Sequence, residues 1–451
     1  MSHLWQLGPS TFVDFPTGVN QIVLYCGSGA LSAFLVFAIY QWYFYPLSQF
    51  PGPKLAAISN FPYSRSYMGG RQPWDILKLH DTHGPVVRIA PNDLSFNTAK
   101  SCCFIKSNFY DGGNFADQAH SIVSERYPDK HHQMRKFLSR TFSDTSLKGQ
   151  ETLINTKIDR FVERIGEQGT VNFSHWFNLL TFDIIGELAF GTDFQGIETG
   201  QTHFWISDVW GSMSQASVSD TLTRFPVLGK AWLYMNPSWI SKLMEAATRH
   251  QQYTIDLTTR RLQEDTGRKD FMGYLLQDRD DSSDIQLAAH ASDFVITRSE
   301  TTATTLAVIF YYLCTTPSAK EELEREILSE FPAYRDINAT SAASLKYLHA
   351  VPKGGETVDG YYVPEETIVF TNPYAASDPK DNLDASKLFS FGLRACLGRG
   401  LAWLKLHVTV AKIIYAYEFQ LVDRSLDWNR EARMSLLEKK PDLNIKLTKH
   451  A

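Results

Sequence analysis

The 451-residue sequence has little positive charge and few cysteines, and each shortage excludes a class of protein. Its formal net charge of −5 gives no basic surface field, which argues against nucleic acid as the main partner. Five cysteines do not make a disulfide framework, and this usage is typical of a reducing compartment. The sequence also contains neither a Walker phosphate loop nor a GxGxxG fingerprint, so the common nucleotide-binding motifs are absent.

Charge is missing altogether between Asp14 and Lys54, although charged residues make up 21% of the sequence. Residues 19–45 within this window are apolar and long enough to cross the hydrocarbon layer as a helix. No Lys or Arg precedes Val19, whereas a cleaved signal peptide usually begins with a basic region. We therefore predict an uncleaved transmembrane anchor, with a buried core helix as the alternative. The basic residues that follow the span predict a body in the cytoplasm.

A proline-rich stretch, FPGP at residues 50–53, follows the predicted anchor and favours a stiff hinge because proline cannot continue a helix. We therefore divide the chain into an anchor at residues 1–50 and a body at residues 51–451. Residues 83–97 alternate in polarity and predict a β hairpin, whereas most later segments have the three- and four-residue apolar spacing of helices. The body is thus predicted to be mostly α with minor β, with long helices at residues 290–316 and 401–419.

The sequence FSFGLRACLGRG places one cysteine within a specific pattern of residues. Directly before a predicted helix, the pattern F-x-x-G-x-R-x-C-x-G is formed by Phe389, Gly392, Arg394, Cys396 and Gly398. Backbone N–H groups and the helix dipole stabilise a thiolate at such a helix start, and the thiolate is the form that binds metals. The glycines let the backbone approach a flat ligand, and the arginine suits a carboxylate at the edge of that ligand.

The cysteine motif indicates haem and not another metal centre. Zinc and iron–sulfur sites need several ligands, and no second Cys or His lies near Cys396 at ligand spacing, whereas one thiolate is enough for haem. An inert buried cysteine is the blander alternative. With this motif the chain resembles the membrane-bound cytochrome P450 family, and most of all its fungal microsomal members of secondary metabolism. The resemblance implies the cytochrome P450 fold and haem b whose iron is ligated axially by Cys396.

Two further segments are similar to this family. SETTATT resembles the acid–alcohol segment of the helix above the haem, which implies that Glu300 and Thr301 manage protons during dioxygen activation. HHQMRKFLSRTF resembles the basic helix that holds a haem propionate, and His131 and Arg135 match it, four residues apart. The resemblance also implies that the haem-binding loop includes Phe389, Gly392, Arg394 and Gly398.

The resemblance implies a haem-thiolate monooxygenase that hydroxylates or epoxidises an apolar small molecule in fungal secondary-metabolite biosynthesis. Its other substrate is dioxygen, and its electrons come from NADPH through NADPH-cytochrome P450 reductase. It implies a single-pass protein of the endoplasmic reticulum membrane with the catalytic body facing the cytoplasm. Two alternatives stay open: a degenerate membrane-anchored relative without catalysis, and a haem-thiolate isomerase or dehydratase.

The sequence departs from the family pattern in four places. Thr297 and Arg298 stand where the family has small residues before the acid–alcohol pair. A Glu-x-x-Arg helix is missing near residue 351, a meander is missing within residues 375–388, and the chain is shortened near residue 103. Such losses, flanked by good matches, are as typical of a wrongly joined gene model or a decayed gene as of an altered enzyme.

Overall fold

The computed structural model describes most of the chain, and the statements below concern that part. The described residues are 17–97, 106–113, 115–116, 118–235, 237–264, 267–268, 270–277, 283–345, 348, 368–371, 394–434 and 436–450. Of the predicted site residues, Phe389 and Gly392 lie outside these ranges, as do most residues of the segments that the sequence predicts to be shortened.

Helices make up most of the described chain, as predicted from the apolar spacing. In chain order they are α1 (Thr17–Tyr43), α2 (Lys54–Ile58), α3 (Phe61–Met68), α4 (Gln72–His83), α5 (Pro128–Ser139), α6 (Asp144–Gln168), α7 (Phe173–Phe190), α8 (Gly196–Thr199), α9 (Phe204–Arg224), α10 (Pro226–Met235), α11 (Ser238–Gln263), α12 (Phe271–Gln277), α13 (Asp284–Thr315), α14 (Pro317–Glu330), α15 (Ala339–Ala343), α16 (Arg399–Ala416) and α17 (Trp428–Glu431). The strands are β1 (Val86–Ala90), β2 (Asp93–Phe96), β3 (Thr170–Asn172), β4 (Ile368–Thr371), β5 (Tyr417–Leu421), β6 (Arg433–Met434), β7 (Glu438–Lys439) and β8 (Asn444–Lys449).

Helix α1 carries no charged side chain and corresponds to the predicted anchor. Its residues Gln21–Tyr43 are long and apolar enough to cross a membrane, and an 18-residue window within them has a mean hydropathy of 2.1. The end of α1 is tied to the body, because Arg88 on β1 donates hydrogen bonds to the carbonyl and side-chain oxygens of Gln41 at 2.9 and 2.7 Å. Trp42 Nε1 also donates to the carbonyl oxygen of Lys54 at 2.9 Å.

The core is built around α7 and α13, which pack against each other along their length. Helix α7 is apolar on nearly every side and is buried almost throughout, which is possible because α6 and α13 both cover it. Helix α16 packs against α6 and α13. The rings of Phe310 on α13 and Phe419 on β5 meet edge to face at 5.1 Å. This packing fixes the positions of α13, which carries Glu300 and Thr301, and of α16, which begins directly after the cysteine motif.

Local sequence signals set the ends of these core helices. The side chains of Ser143, Asn172 and Ser283 accept a backbone N–H at the starts of α6, α7 and α13, which satisfies a donor that the helix itself cannot. Helix α7 ends at Gly191, whose φ of 67° is left-handed and therefore favours glycine. Helix α13 ends just before Pro317, as the sequence predicts.

The described strands form two three-stranded sheets and one β ribbon. Strands β1 and β2 pair antiparallel, which confirms the hairpin predicted at residues 83–97, and β4 adds in parallel to β2. The prediction of a helix at residues 401–419 is wrong at its end, because α16 stops at Ala416 and β5 follows directly. Residues of β5 are alternately buried and exposed, because β5 pairs with β8, and this distant pairing overrides the helical pattern.

Candidate functional site

Cys396 lies three residues before α16, and its thiol is free and exposed. The first turn of α16 has backbone N–H groups without helical acceptors, so this end of the helix is positive and favours a thiolate. The sulfur is accessible, whereas the helix that follows it, α16, is mostly buried. The cysteine is therefore accessible to a ligand and is not a buried core residue.

Two arginines attach the cysteine loop, defined here as residues 394–398, to the region of α5. Arg394 donates from its two terminal nitrogens to the carbonyl oxygens of Glu125 and Arg126, both at 2.8 Å. Arg135 on α5 donates to the carbonyl oxygen of Ala395 at 2.5 Å. These contacts bring together residues that lie 260 positions apart, so the two arginines chosen from separate motifs meet at one loop.

Positive charge accumulates beside this loop. His131, one turn before Arg135, is buried, and burial lowers the pKa of His131 to about 4 with the charges of Arg394, Lys106 and Arg135 acting in the same direction. Burial and the charge of Arg394 lower the pKa of Lys106 to about 8. Sequence analysis missed Lys106, since no motif marks it. The smaller part of each pKa shift comes from neighbouring positive charges, and a bound anion would relieve that part.

The donor set fits haem. Three positively charged side chains lie at the cysteine loop or beside it, namely Lys106, Arg135 and Arg394, with the neutral His131 among them. Among the described residues, the acids whose charges oppose the pKa shifts of Lys106 and His131 are Glu125 and Asp293. A surplus of positive charge suits the two propionates of haem, and an accessible thiolate suits its iron.

Glu300 and Thr301 are neighbours on α13 but have different surroundings. Thr301 is exposed, and its hydroxyl donates to the carbonyl oxygen of Thr297 at 2.6 Å. Glu300 is buried, and its Oε1 contacts Nζ of Lys440, which also donates to the hydroxyl of Thr304 at 3.3 Å. The acid thus has a fixed partner that sequence analysis missed, because Lys440 lies 140 residues later.

Arg298, which stands where the family has a small residue, packs against an aromatic ring and a glycine. Its guanidinium carbon lies 3.8 Å from the ring centroid of Phe142. A Cβ atom added to Gly398 would stand 2.0 Å from Nη1 of Arg298, so any other residue at position 398 would displace the guanidinium. The glycine therefore has a packing role here in addition to the approach to a flat ligand that the motif predicts.

Comparisons with known proteins agree with this geometry. The sequence model of the family "Cytochrome P450" matches residues 54–353 and 384–447. The chain is 43% identical to cytochrome P450 monooxygenase ORF11 of Penicillium roqueforti, over 88% of this chain and 95% of that protein. It is 29% identical to trichothecene C-15 hydroxylase of Fusarium sporotrichioides, over 93% of this chain and 97% of that protein. A solved structure, the heme domain of cytochrome P450DA, is similar with a TM-score of 0.71 at 15% identity, over 89% and 97% of the two chains.

The chain belongs to the cytochrome P450 family, because the family model matches more than half of its residues. The structural neighbour, at low identity, confirms the predicted fold. The chain is accordingly a cytochrome P450 monooxygenase of the fungal type, as the cysteine motif predicted. Family and fold imply haem with a cysteine thiolate as the iron ligand.

Proposed function

We propose that this chain binds haem b through the thiolate of Cys396 and uses dioxygen to hydroxylate or epoxidise an apolar small molecule. The observation that carries the proposal is the free, exposed thiol of Cys396 at the positive end of α16, beside an excess of basic side chains. Haem, when bound, supplies the chemistry of dioxygen activation. The protein then has to hold the haem, keep its propionates neutralised and deliver protons.

Each predicted site residue has a role in this proposal. Arg394, Arg135 and His131 bind the propionates, and the hydrogen bonds of the two arginines to the α5 region and the cysteine loop preorganise these arginines for that role. Phe389, Gly392 and Gly398 are assigned to haem binding from the motif, and the first two lie outside the described residues. Other members of the basic cluster, above all Lys106, add to the attraction for the carboxylates.

Proton delivery is assigned to α13. The exposed hydroxyl of Thr301 is available to a ligand on that side of the helix, and the Glu300 carboxylate is one residue away. The contact with Lys440 holds Glu300 in one place, so Lys440 is the positioning residue for this acid. A proton that leaves Glu300 has to reach Thr301 around the helix, through water or by a side-chain rotation.

We assign the cellular setting from the anchor and the relatives. Residues 1–50 would anchor residues 51–451 to the cytoplasmic side of the endoplasmic reticulum membrane, with α1 as the single span. Electrons would come from NADPH through NADPH-cytochrome P450 reductase. The named hydroxylase among the relatives supports hydroxylation of a secondary metabolite as the reaction.

The first test is the reduced, carbon monoxide-bound difference spectrum of the expressed full chain. A strongly red-shifted Soret band is expected, because thiolate ligation produces it, and the variant C396A should lose this band. The variant C314A is the matched control and should keep the band, because burial raises the pKa of the Cys314 thiol to about 11 and so disfavours a thiolate there. Absence of the band from the unaltered chain would contradict the proposed function and would show that the chain is a degenerate, non-catalytic member of the family.

A second measurement separates oxygen insertion from the isomerase or dehydratase alternative. Substrate turnover by the haem-loaded chain is expected to require NADPH, reductase and dioxygen together. Product formed without these three would assign the chain to rearrangement or dehydration chemistry. The exposed Thr301 hydroxyl beside Glu300 favours oxygen insertion, since rearrangement needs no proton delivery to dioxygen.

A further inference from the structure

Arg298 is held in an aromatic cage formed by three phenylalanines. Its guanidinium carbon lies 3.8 Å from the ring centroid of Phe142 and 5.2 Å from that of Phe294, with the ring of Phe271 at 5.8 Å. These rings belong to the turn after α5, to α13 itself and to α12. A cation over ring faces is attracted by their quadrupoles, and the attraction grows when water is excluded. The cage therefore holds the charge of Arg298 in one place.

The caged charge lies next to the loop that carries the proposed iron ligand. Arg298 touches Gly398, where an added Cβ would stand 2.0 Å from Nη1 and 2.7 Å from Cζ. Gly398 is the second residue after Cys396. Helix α13 thus brings a guanidinium group against the backbone of the cysteine loop. A small residue at position 298 would place no charge there.

The Arg298 guanidinium is also short of hydrogen-bond partners within the described part of the chain. Its Nε and Nη1 atoms are buried and have no hydrogen-bond partner among the described residues. Lys405 on α16 is only 2% exposed and donates from Nζ to the carbonyl oxygen of Arg298 at 2.7 Å, which adds a second basic group. Burial lowers the pKa of Arg298 to about 10, while the charges of Cys396 and Asp293 act in the opposite direction, so Arg298 is a cation at neutral pH.

We propose that Arg298 is a positioning residue that places a buried positive charge beside the Cys396 thiolate and thereby raises the reduction potential of the bound haem. This inference rests on the proposed haem-thiolate function and adds to it a control of the first electron transfer. Reduction adds one negative charge to the haem, and a fixed cation in a medium of low dielectric constant stabilises the reduced state more than the oxidised state. The result would be a haem that accepts its first electron readily.

The alternative role for Arg298 is packing alone, in which its side chain only fills the space between α13, α16 and the three rings. Two substitutions separate charge from packing. R298M keeps an unbranched side chain of similar length and removes the charge, whereas R298K keeps the charge and changes the shape. If the charge matters, R298K keeps the haem reduction potential that R298M loses. If only packing matters, lysine does not restore that potential.

The experiment is a spectroelectrochemical titration of the haem-loaded full chain. R298M is expected to shift the ferric–ferrous equilibrium toward ferric haem by about tenfold, which is about 59 mV for a one-electron couple. R298K should stay close to the unaltered protein. K412M is the matched control, because Lys412 on α16 is a buried cation like Arg298 but its Nζ contacts Asp159 at 2.5 Å. The reduction potential of the haem in K412M should equal that of the unaltered protein.

Equal potentials in R298M and the unaltered protein would overturn the proposal, and so would equal shifts in R298M and R298K. If R298M fails to retain haem, R298Q takes its place as the neutral variant in the same titration. The carbon monoxide difference spectrum is recorded first on each variant. A missing thiolate band in the unaltered chain defeats the haem-thiolate function and this proposal with it, whereas a normal band with an unshifted R298M potential defeats only the role of Arg298.

Discussion

Glu300 and Lys440 carry opposite charges where water scarcely reaches them, since their side chains are 8% and 3% exposed. A buried ion pair of this kind gains little over an apolar pair, but loss of one partner leaves an uncompensated charge in the protein interior. The neighbouring carboxyl of Glu438 is itself affected, because burial raises the pKa of Glu438. The position of Glu300 on α13 therefore depends on a residue near the C-terminus.

The substitution K440M tests this dependence. We expect it to lower the free energy of unfolding by about 3–5 kcal/mol, because Glu300 is left buried without its cation. The double variant E300L/K440M should lose much less stability, since neither charge of this pair then remains in the interior. Urea denaturation followed by circular dichroism measures each loss.

The exposed pair Arg325–Glu322 on α14 provides the control for K440M. Its side chains are 67% and 45% exposed, so R325M should cost less than about 1 kcal/mol. A K440M cost no larger than that of R325M would contradict the view that Lys440 holds Glu300 in place.

Helix α5 works as one element in the proposed site. Its buried His131 and its Arg135 lie one turn apart, and Arg135 bonds to the cysteine loop while the next residue, Lys136, is exposed. The helix is therefore expected to contribute to haem binding through one face only. A charge on the exposed face of α5 should have little influence on haem binding, because solvent screens it.

The matched variants R135M and K136M test the assignment of α5. R135M is expected to weaken haem binding by about tenfold or more, since a charge-assisted hydrogen bond contributes roughly 1.5–3 kcal/mol. K136M removes the same charge from the adjacent position and should bind haem as the unaltered chain does. The rate of haem transfer to apomyoglobin measures both, and equal rates for the two variants would exclude a propionate-binding role for Arg135.

At the scale of the whole molecule, the family match is interrupted at one place. It ends at residue 353 and resumes at residue 384. The helix that the sequence predicts to be missing near residue 351 falls just inside the first matched range, and the missing meander within residues 375–388 overlaps the break. A cytochrome P450 core closes around its haem by contacts between distant segments. Loss of a segment between α15 and α16 would therefore affect the assembly of the site even where each remaining element is intact.

We expect the transcript of this gene to encode further residues between Ala350 and Val351, including a Glu-x-x-Arg helix. Sequencing cDNA across this junction and, as a control, across residues 290–316, where the sequence predicts no loss and α13 is an uninterrupted helix, tests this expectation. Additional in-frame codons at the first position and none at the second are expected. A transcript that joins Ala350 directly to Val351 would show that the shortened chain is the expressed protein.

The amino-acid sequence by itself determined the local features of this protein. The cysteine motif, the apolar anchor, the hairpin at residues 83–97 and the spacing of α13 are each set by residues close together in the chain. Helix periodicity, turn residues and apolar length act over a few residues, so a single sequence is enough to predict them. The family and the fold followed from the same local signals.

Only the tertiary structure decided which charges meet. The partner of Glu300 lies 140 residues away, Arg135 reaches a loop 260 residues later, and the end of the helix predicted at residues 401–419 became a strand because β8 pairs with it. The orientation of the Arg298 side chain was equally unpredictable from the sequence, since it depends on rings from three separate elements and on a glycine of the cysteine loop. Such contacts arise when helices pack, because burial then forces each charge to find a partner that sequence spacing does not reveal.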